Sequence, residues 1–283
     1  MKPQITLSLY GIITNFFLFI GKLVVALLSG SIALFSDAFN SLVDVMSSIV
    51  SFFAIKVSRK KADEGHPLGH HQAEPIAGLL IAIFAFTLAI DIFQGIVTSF
   101  LAGYTAHITF LVFAILLLTI IVKIIMSYIF LKKAREFQSP VLKANGIDSR
   151  NDVFVSLLAL IGVYFTYIGY AFIEVIFAIA ISLIILYTAF LLAKENISYL
   201  MGSSLSKAYI ERVKKRILAV HGVKGHGKVI AFYTGSYINI ESEIIVDKNL
   251  LLKDAHQIRE HVRKRLIDLP YVNHVDVYLG IGF

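Results

Sequence analysis

Six apolar runs, near residues 7–28, 32–56, 75–100, 107–131, 146–168 and 171–194, fill most of the N-terminal two thirds of this chain. Each is long enough to cross roughly 30 Å of hydrocarbon as a helix rising about 1.5 Å per residue. Lipid offers no water to satisfy a free backbone amide, so runs of this length are confined to helices whose hydrogen bonds are made internally. The mean hydropathy of +0.78 lies outside the range of soluble domains. The expected fold is therefore membrane α-helical. The first run is too long for a signal-peptide core and no small-residue cleavage site follows it, so the first span is expected to be retained.

The linkers after the first, third and fifth runs lack Lys and Arg, whereas those after the second and fourth carry Arg59, Lys60 and Lys61, then Lys132, Lys133 and Arg135. By the positive-inside rule the basic linkers, and with them both termini, are expected on the cytoplasmic side of the cell membrane. The net charge of +7 is thus a matter of topology, and nucleic acid is not an expected partner.

Past about Ser206 the pattern becomes that of a water-exposed domain. Ile210, Val213, Ile217 and Val220 recur at helical spacing over 206–220. A Gly-rich turn is expected around Gly222 to Gly227, then strands Val229 to Tyr233 and Tyr237 to Val246 about a Gly235-Ser236 hairpin turn, with Ile238, Ile240 and Ile244 inward. A helix from Leu250 to Asp268, stopped by Pro270, and a strand from Val272 to Leu279 complete an α-β-β-α-β order. The expected organisation is a six-helix transmembrane domain, residues 1–200, and a cytoplasmic α+β domain, residues 206–283. A domain this small buries little apolar surface, and association into a homodimer would relieve that.

Two of the apolar runs contain oxygen-bearing side chains at i, i+4 spacing: Asn40 and Asp44 in the second, Asp148 and Asp152 in the fifth. Such a spacing puts both members on one helix face, about 5–6 Å apart at Cβ. An acid at membrane depth costs about 2.5–3.5 kcal/mol even on lenient insertion scales, so a cluster calls for a bound cation or for hydrogen bonds to neighbouring helices. With no cysteine in the chain, a metal here would be held by oxygen or imidazole alone. Three carboxylates and an amide suit a hard ion such as Mn²⁺, Mg²⁺ or Ca²⁺ better than Zn²⁺, while Fe²⁺ and Co²⁺ stay open. Three crowded acids repel one another, and an arriving divalent ion must displace whatever protons they hold. Asp91, Lys123 and Glu174 are further charges within the spans; they could line a proton path, pair across helices or reach toward a surface, and receive no role.

Around the first pair the chain reads Ser29-Gly-Ser-Ile-Ala-Leu-Phe-Ser-Asp37-Ala-Phe-Asn40-Ser-Leu-Val-Asp44, and the following loop reads His66-Pro-Leu-Gly-His70-His-Gln-Ala-Glu74. Together these strings resemble the cation diffusion facilitator family of divalent-metal/proton antiporters, and the resemblance extends over nearly the whole chain. It implies a transport site at Asn40, Asp44, Asp148 and Asp152, with Asp37 in a supporting or helix-packing role. The Asn/Asp with Asp/Asp pattern resembles the manganese branch, which makes Mn²⁺ the expected substrate, Zn²⁺, Fe²⁺ and Co²⁺ the alternatives, and protons the counter-ion. Asp63, His66 and His70 match positions that hold a second metal in the family, with a solvated loop as the plain alternative. His71 and Gln72 depart from the small residue and Lys usual there, and Met201-Gly202-Ser203 lacks the acid that would pair with that Lys. In the C-terminal domain only His256 matches a ligand position: Glu241 stands for one His, the last strand ends Tyr278-Leu-Gly-Ile-Gly-Phe283, and His221, His226, His261 and His274 read as surface residues. A metal-gated C-terminal domain is not expected.

Two other classes were weighed. A passive cation channel selects with rings of charges or carbonyls about a pore, unlike acid pairs on two helices of one subunit. An intramembrane aspartyl hydrolase would need a Gly-x-Gly-Asp string, which is absent.

Overall fold

The structure, a computed structural model, describes residues 3–281 except 59, 61, 68, 105, 138, 139 and 236. Arg59 and Lys61 of the first basic linker, Leu68 of the loop motif, Ser236 of the hairpin turn and the terminal Gly282-Phe283 therefore lie outside the described residues. The chain divides into two compact units, Met1–Phe52 with Leu80–Ala193, and Phe53–Leu79 with Lys194–Phe283.

Six long helices appear in order: α1 (Pro3–Ser29), α2 (Ile32–Ser58), α3 (Ala73–Leu101), α4 (Phe110–Phe137), α5 (Pro140–Tyr167) and α6 (Ala171–Leu200). All but α5 are long and apolar enough to span a membrane on length and composition. The exception has a physical cause: Asp148, Arg150 and Asp152 fall within α5 and lower its apolarity, although it is as long as its neighbours.

In the first unit, large side chains face outward and small ones inward. Leu27, Leu28 and Phe110 are 67%, 75% and 84% exposed. A continuous apolar exterior of that kind needs lipid to cover it. Inside, Ala33, Ala159 and Ala178 are fully buried beside Leu34, Leu116 and Ile181. Small residues let helix backbones approach, which is how membrane helices gain packing without a hydrophobic driving force. Gly146 on α5 is the clearest case: a Cβ there would come within 2.8 Å of Leu131 Cγ and 3.1 Å of Leu131 N on α4. Ser127 of α4 donates to the Gly146 carbonyl at 2.8 Å across the same contact.

In the second unit, α7 (Lys207–Leu218), β1 (Gly225–Thr234), β2 (Tyr237–Val246), α8 (Leu252–Ile267) and β3 (Val272–Ile281) follow the expected α-β-β-α-β order. The sheet order is β1-β2-β3, antiparallel between β1 and β2 and parallel between β2 and β3, with α8 as the crossover. Ser206 caps α7, its side chain accepting from Tyr209 N–H. Strand β2 alternates in burial along its whole length, which puts Ile238, Ile240, Ser242, Ile244 and Val246 on one covered face. Val213 and Ile217 from α7, and Val262 and Leu266 from α8, complete this core.

One expectation fails here. Gly225 and Gly227 stand inside β1 rather than in a turn, and only Gly222 keeps the turn role. The ladder is irregular between His226 and Val229, so the strand tolerates glycine where pairing is already disrupted.

The linker between α2 and α3 belongs to this unit and packs on the β1–β2 hairpin. The His71 ring lies 4.3 Å from the Tyr237 ring, and a Cβ on Gly235 would sit 1.9 Å from the His71 carbonyl oxygen. Gly235 also has φ +63°, so this position excludes a side chain for two separate reasons.

Candidate metal centre

Helical spacing arranges the polar residues of the first unit in stripes. On α2, Asp37, Asn40, Ser41 and Asp44 fall at i, i+3, i+4 and i+7; on α5, Asp148, Asp152 and Ser156 fall at i, i+4 and i+8. The two stripes meet with α2 and α5 running in opposite directions, because Asn40 contacts Asp152 while Asp37 contacts Ser156.

The deeper layer is a closed ion-pair network. Lys22 of α1, fully buried, places Nζ 2.9 Å from Asp37 Oδ2 and donates to Ser41 Oγ at 3.0 Å and Ser156 Oγ at 3.4 Å. Ser156 Oγ donates in turn to Asp37 at 3.0 Å. Asp37 is thus paired with Lys22 of α1 and bonded by Ser156 of α5.

The layer above is the candidate transport site. Asn40 donates its amide to Asp152 Oδ1 at 3.1 Å. The other oxygen of Asp152 is bonded by the Lys123 ammonium from α4. The same ammonium lies 3.8 Å from Asp44 Oδ2, an oxygen that is itself buried with no hydrogen-bond partner. Asp148, one turn before Asp152, is more exposed and lies within electrostatic range of Asp152 and Lys123. The structure therefore bonds Asn40 to Asp152 and links Asp152 to Asp44 through Lys123, with Asp148 in electrostatic range; the three carboxylates do not converge within 4.8 Å of one another as the loop triad does. Lys123 is the member that spacing on α2 and α5 could not supply. Its signal in the sequence is a lone charge within α4, which must find a partner or a surface.

A third polar cluster joins the start of α2 to α6. Glu174, fully buried, accepts from Ser31 Oγ at 2.5 Å, from Ala33 N–H at 3.2 Å and from Thr166 Oγ1 at 2.5 Å. A carboxylate at free helix N–H groups satisfies them and opposes the positive end of the helix dipole. Both Lys123 and Glu174 are thus paired across helices, while Asp91 is exposed on α3.

The loop motif forms a second constellation. Asp63, His66 and His70 bring one ligand atom each within 4.8 Å of one another, the group of three His or acidic residues that does so among the described residues. His66 Nδ1 and His70 Nε2 both lie 3.4 Å from Asp63, one on each carboxylate oxygen. The His66 backbone N–H, donating to Asp63 Oδ1 at 2.8 Å, holds that carboxyl below its ordinary range. His70 Nδ1 is buried without a hydrogen-bond partner. An acid and two imidazoles converging from one loop fit a divalent ion.

No such convergence occurs in the C-terminal domain among the described residues. His256 and His261 are exposed on α8, His221 is exposed, and His274 Nε2 lies 3.1 Å from Asp276 on β3. His226 bonds the neighbouring Gly227 carbonyl, and Glu241 pairs in the ladder opposite Ile230.

A bundle of long lipid-facing helices with buried acids at its heart, continued by a small α+β domain, defines a membrane transport protein for cations. Comparison with known proteins bears this out. Residues 8–201 match the family model described as the cation efflux transmembrane domain, and residues 205–277 match that of the cation efflux protein cytoplasmic domain. The chain belongs to the cation efflux family. It is 31% identical to the uncharacterized transporter MJ0449 of Methanocaldococcus jannaschii over 99% of this chain and 98% of that one. It is 28% identical to the manganese efflux system protein MneP of Bacillus subtilis over 96% of this chain and 95% of that one. Solved structures of the MamM CTD include one 24% identical that covers 27% of this chain and 98% of that chain, with a TM-score of 0.26.

Proposed function

We propose that this protein exports divalent metal cations from the cytoplasm, Mn²⁺ foremost, in exchange for protons, through a site made by Asn40, Asp44, Asp148 and Asp152. The observation that carries the reading is the oxygen-only donor set: the Asn40 amide of α2 bonds the buried Asp152 carboxylate of α5, and the half-buried Asp44 carboxylate of α2 faces it across the Lys123 ammonium. Such donors favour Mn²⁺ over Zn²⁺, which prefers imidazole and thiolate. The likeness to a manganese efflux protein supports the same choice of ion.

Metal and protons compete for the same carboxylates, so a site open to each side of the membrane in turn would couple the inward proton gradient to outward metal movement. The basic linkers support cytoplasmic termini in the cell membrane. The match to the cytoplasmic-domain model supports a homodimer held through residues 206–283. The loop triad Asp63, His66 and His70 is assigned a second, surface-exposed metal.

The test is Mn²⁺ flux in proteoliposomes with an imposed pH difference. Wild type should move Mn²⁺ saturably and faster with the gradient, and Asp44→Asn or Asp152→Asn should abolish it. Flux indifferent to the pH difference would refute the exchange. Flux that survives both substitutions would refute the site.

A further inference from the structure

The transport site already contains a cation. Lys123 is almost fully buried, its ammonium is ion-paired to Asp152, and it lies 3.8 Å from Asp44. Asn40 takes the remaining oxygen of Asp152. Both oxygens of the Asp152 carboxylate therefore already accept a donor, and a metal ion between Asp44 and Asp152 would have to take the place of the Lys123 ammonium, whose charge repels it. Asn40 can stay as a ligand through its amide oxygen, but an ammonium has no acceptor and can only be displaced.

The charges around this point reinforce the argument. Lys22 and Asp37 cancel in their own network. Asp44, Asp148 and Asp152 remain, opposed by Lys123 alone. With all three ionised, Lys123 alone does not balance them, so the position stays attractive to a more highly charged ion that can take the ammonium's place. Without a cation of some kind the three acids would face one another in a medium that screens poorly.

Resting on the reading of this site as the transport site, we propose that Lys123 is a tethered counter-cation: it occupies the Asp44–Asp152 position whenever the metal is absent and is pushed aside when the metal binds. It thereby determines how tightly the ion is held and how readily it is released. If the ammonium leaves its place about a tenth of the time, apparent affinity falls about tenfold below the intrinsic value.

The experiment uses the full-length chain in detergent, titrated with Mn²⁺ by calorimetry, and the same protein in proteoliposomes. Lys123→Met keeps the length of the side chain and removes the charge. Its Mn²⁺ Kd should fall about tenfold, with a lower transport KM and a lower maximal rate, since release now lacks its competitor. Lys123→Arg, whose guanidinium can grip a carboxylate with two parallel bonds, should weaken Mn²⁺ binding. Asp152→Asn is run alongside. If Lys123→Met binds Mn²⁺ no more tightly than wild type while Asp152→Asn loses binding, the site stands and the tethered-cation role is overturned. If Asp152→Asn binds normally, the site reading fails and takes this role with it. Should Lys123→Met not fold, Lys123→Arg decides, and an unchanged Kd in that variant overturns the proposal.

Discussion

Breaking the Lys22–Asp37 pair should destabilise the helix unit far more than removing the pair altogether. Both side chains are essentially inaccessible, and Lys22 Nζ has three oxygen partners, at 2.9, 3.0 and 3.4 Å. In Asp37→Asn the ammonium keeps only neutral oxygens; in Lys22→Met the carboxylate keeps only the Ser156 hydroxyl. Stranding one charge of a buried pair costs about 3–5 kcal/mol. The double variant Lys22→Met with Asp37→Asn strands neither charge, and well-packed neutral replacements of buried pairs are often close to neutral. It should therefore lie within about 2 kcal/mol of wild type, leaving a coupling of several kcal/mol. Reversible denaturant unfolding in mixed micelles, read by circular dichroism for all four proteins of the cycle, measures this directly. If each single variant loses less than about 1 kcal/mol and the effects add, the pair is hydrated and the account of α1, α2 and α5 as one ion-paired layer is wrong.

Other outcomes follow from the same geometry. Gly146→Val should push α4 from α5 against the Leu131 backbone, costing about 1–3 kcal/mol and impairing Mn²⁺ flux through displacement of Lys123; equal stability and flux would show that the close approach is dispensable. Ile240→Ala, at a fully buried position of β2, should cost the C-terminal domain about 2–5 kcal/mol, seen as faster hydrogen exchange across β1 to β3. Gly235→Ala should release the His71 carbonyl contact and raise exchange in residues 69–73 above that of wild type, and unchanged protection there would contradict the packing of that linker. For the loop triad, the His66 backbone N–H keeps Asp63 ionised to lower pH than an ordinary carboxylate, so on mild acidification Asp63 should keep its part in any metal held there. Paramagnetic Mn²⁺ broadening of the His66 and His70 ring signals should be present in wild type and absent in Asp63→Ala; broadening that survives the substitution would refute the triad.

Much of the architecture was legible because membrane and strand periodicities are local. The six helices, the alternation along β2 and the order α-β-β-α-β all follow from runs and periods within a single segment. Glycine at 225 and 227 misled, since a strand with an irregular ladder accepts residues that otherwise mark a turn. Helix α5 shows the converse: its charges, two of them in the candidate site, weaken its membrane signature.

At the candidate site, i, i+4 spacing singled out the α2 and α5 pairs, and the resemblance of the loop motif to a family signature singled out Asp63, His66 and His70. What spacing cannot express is which helix lies alongside another. Lys22 and Lys123 sit on α1 and α4, away in sequence from the acids they meet, so their pairing with Asp37 and with Asp152 emerged only in three dimensions.

The sequence by itself determined that this chain must be a helical membrane protein with oxygen donors at depth and a small α+β domain after it, because hydropathy, period and charge act over a few residues at a time. Tertiary structure alone decided that Lys123 stands among those donors and that Asp37 is paired with Lys22. Electrostatic pairing in a buried core depends on which charges packing brings within a few ångströms, and that is a property of the fold as a whole.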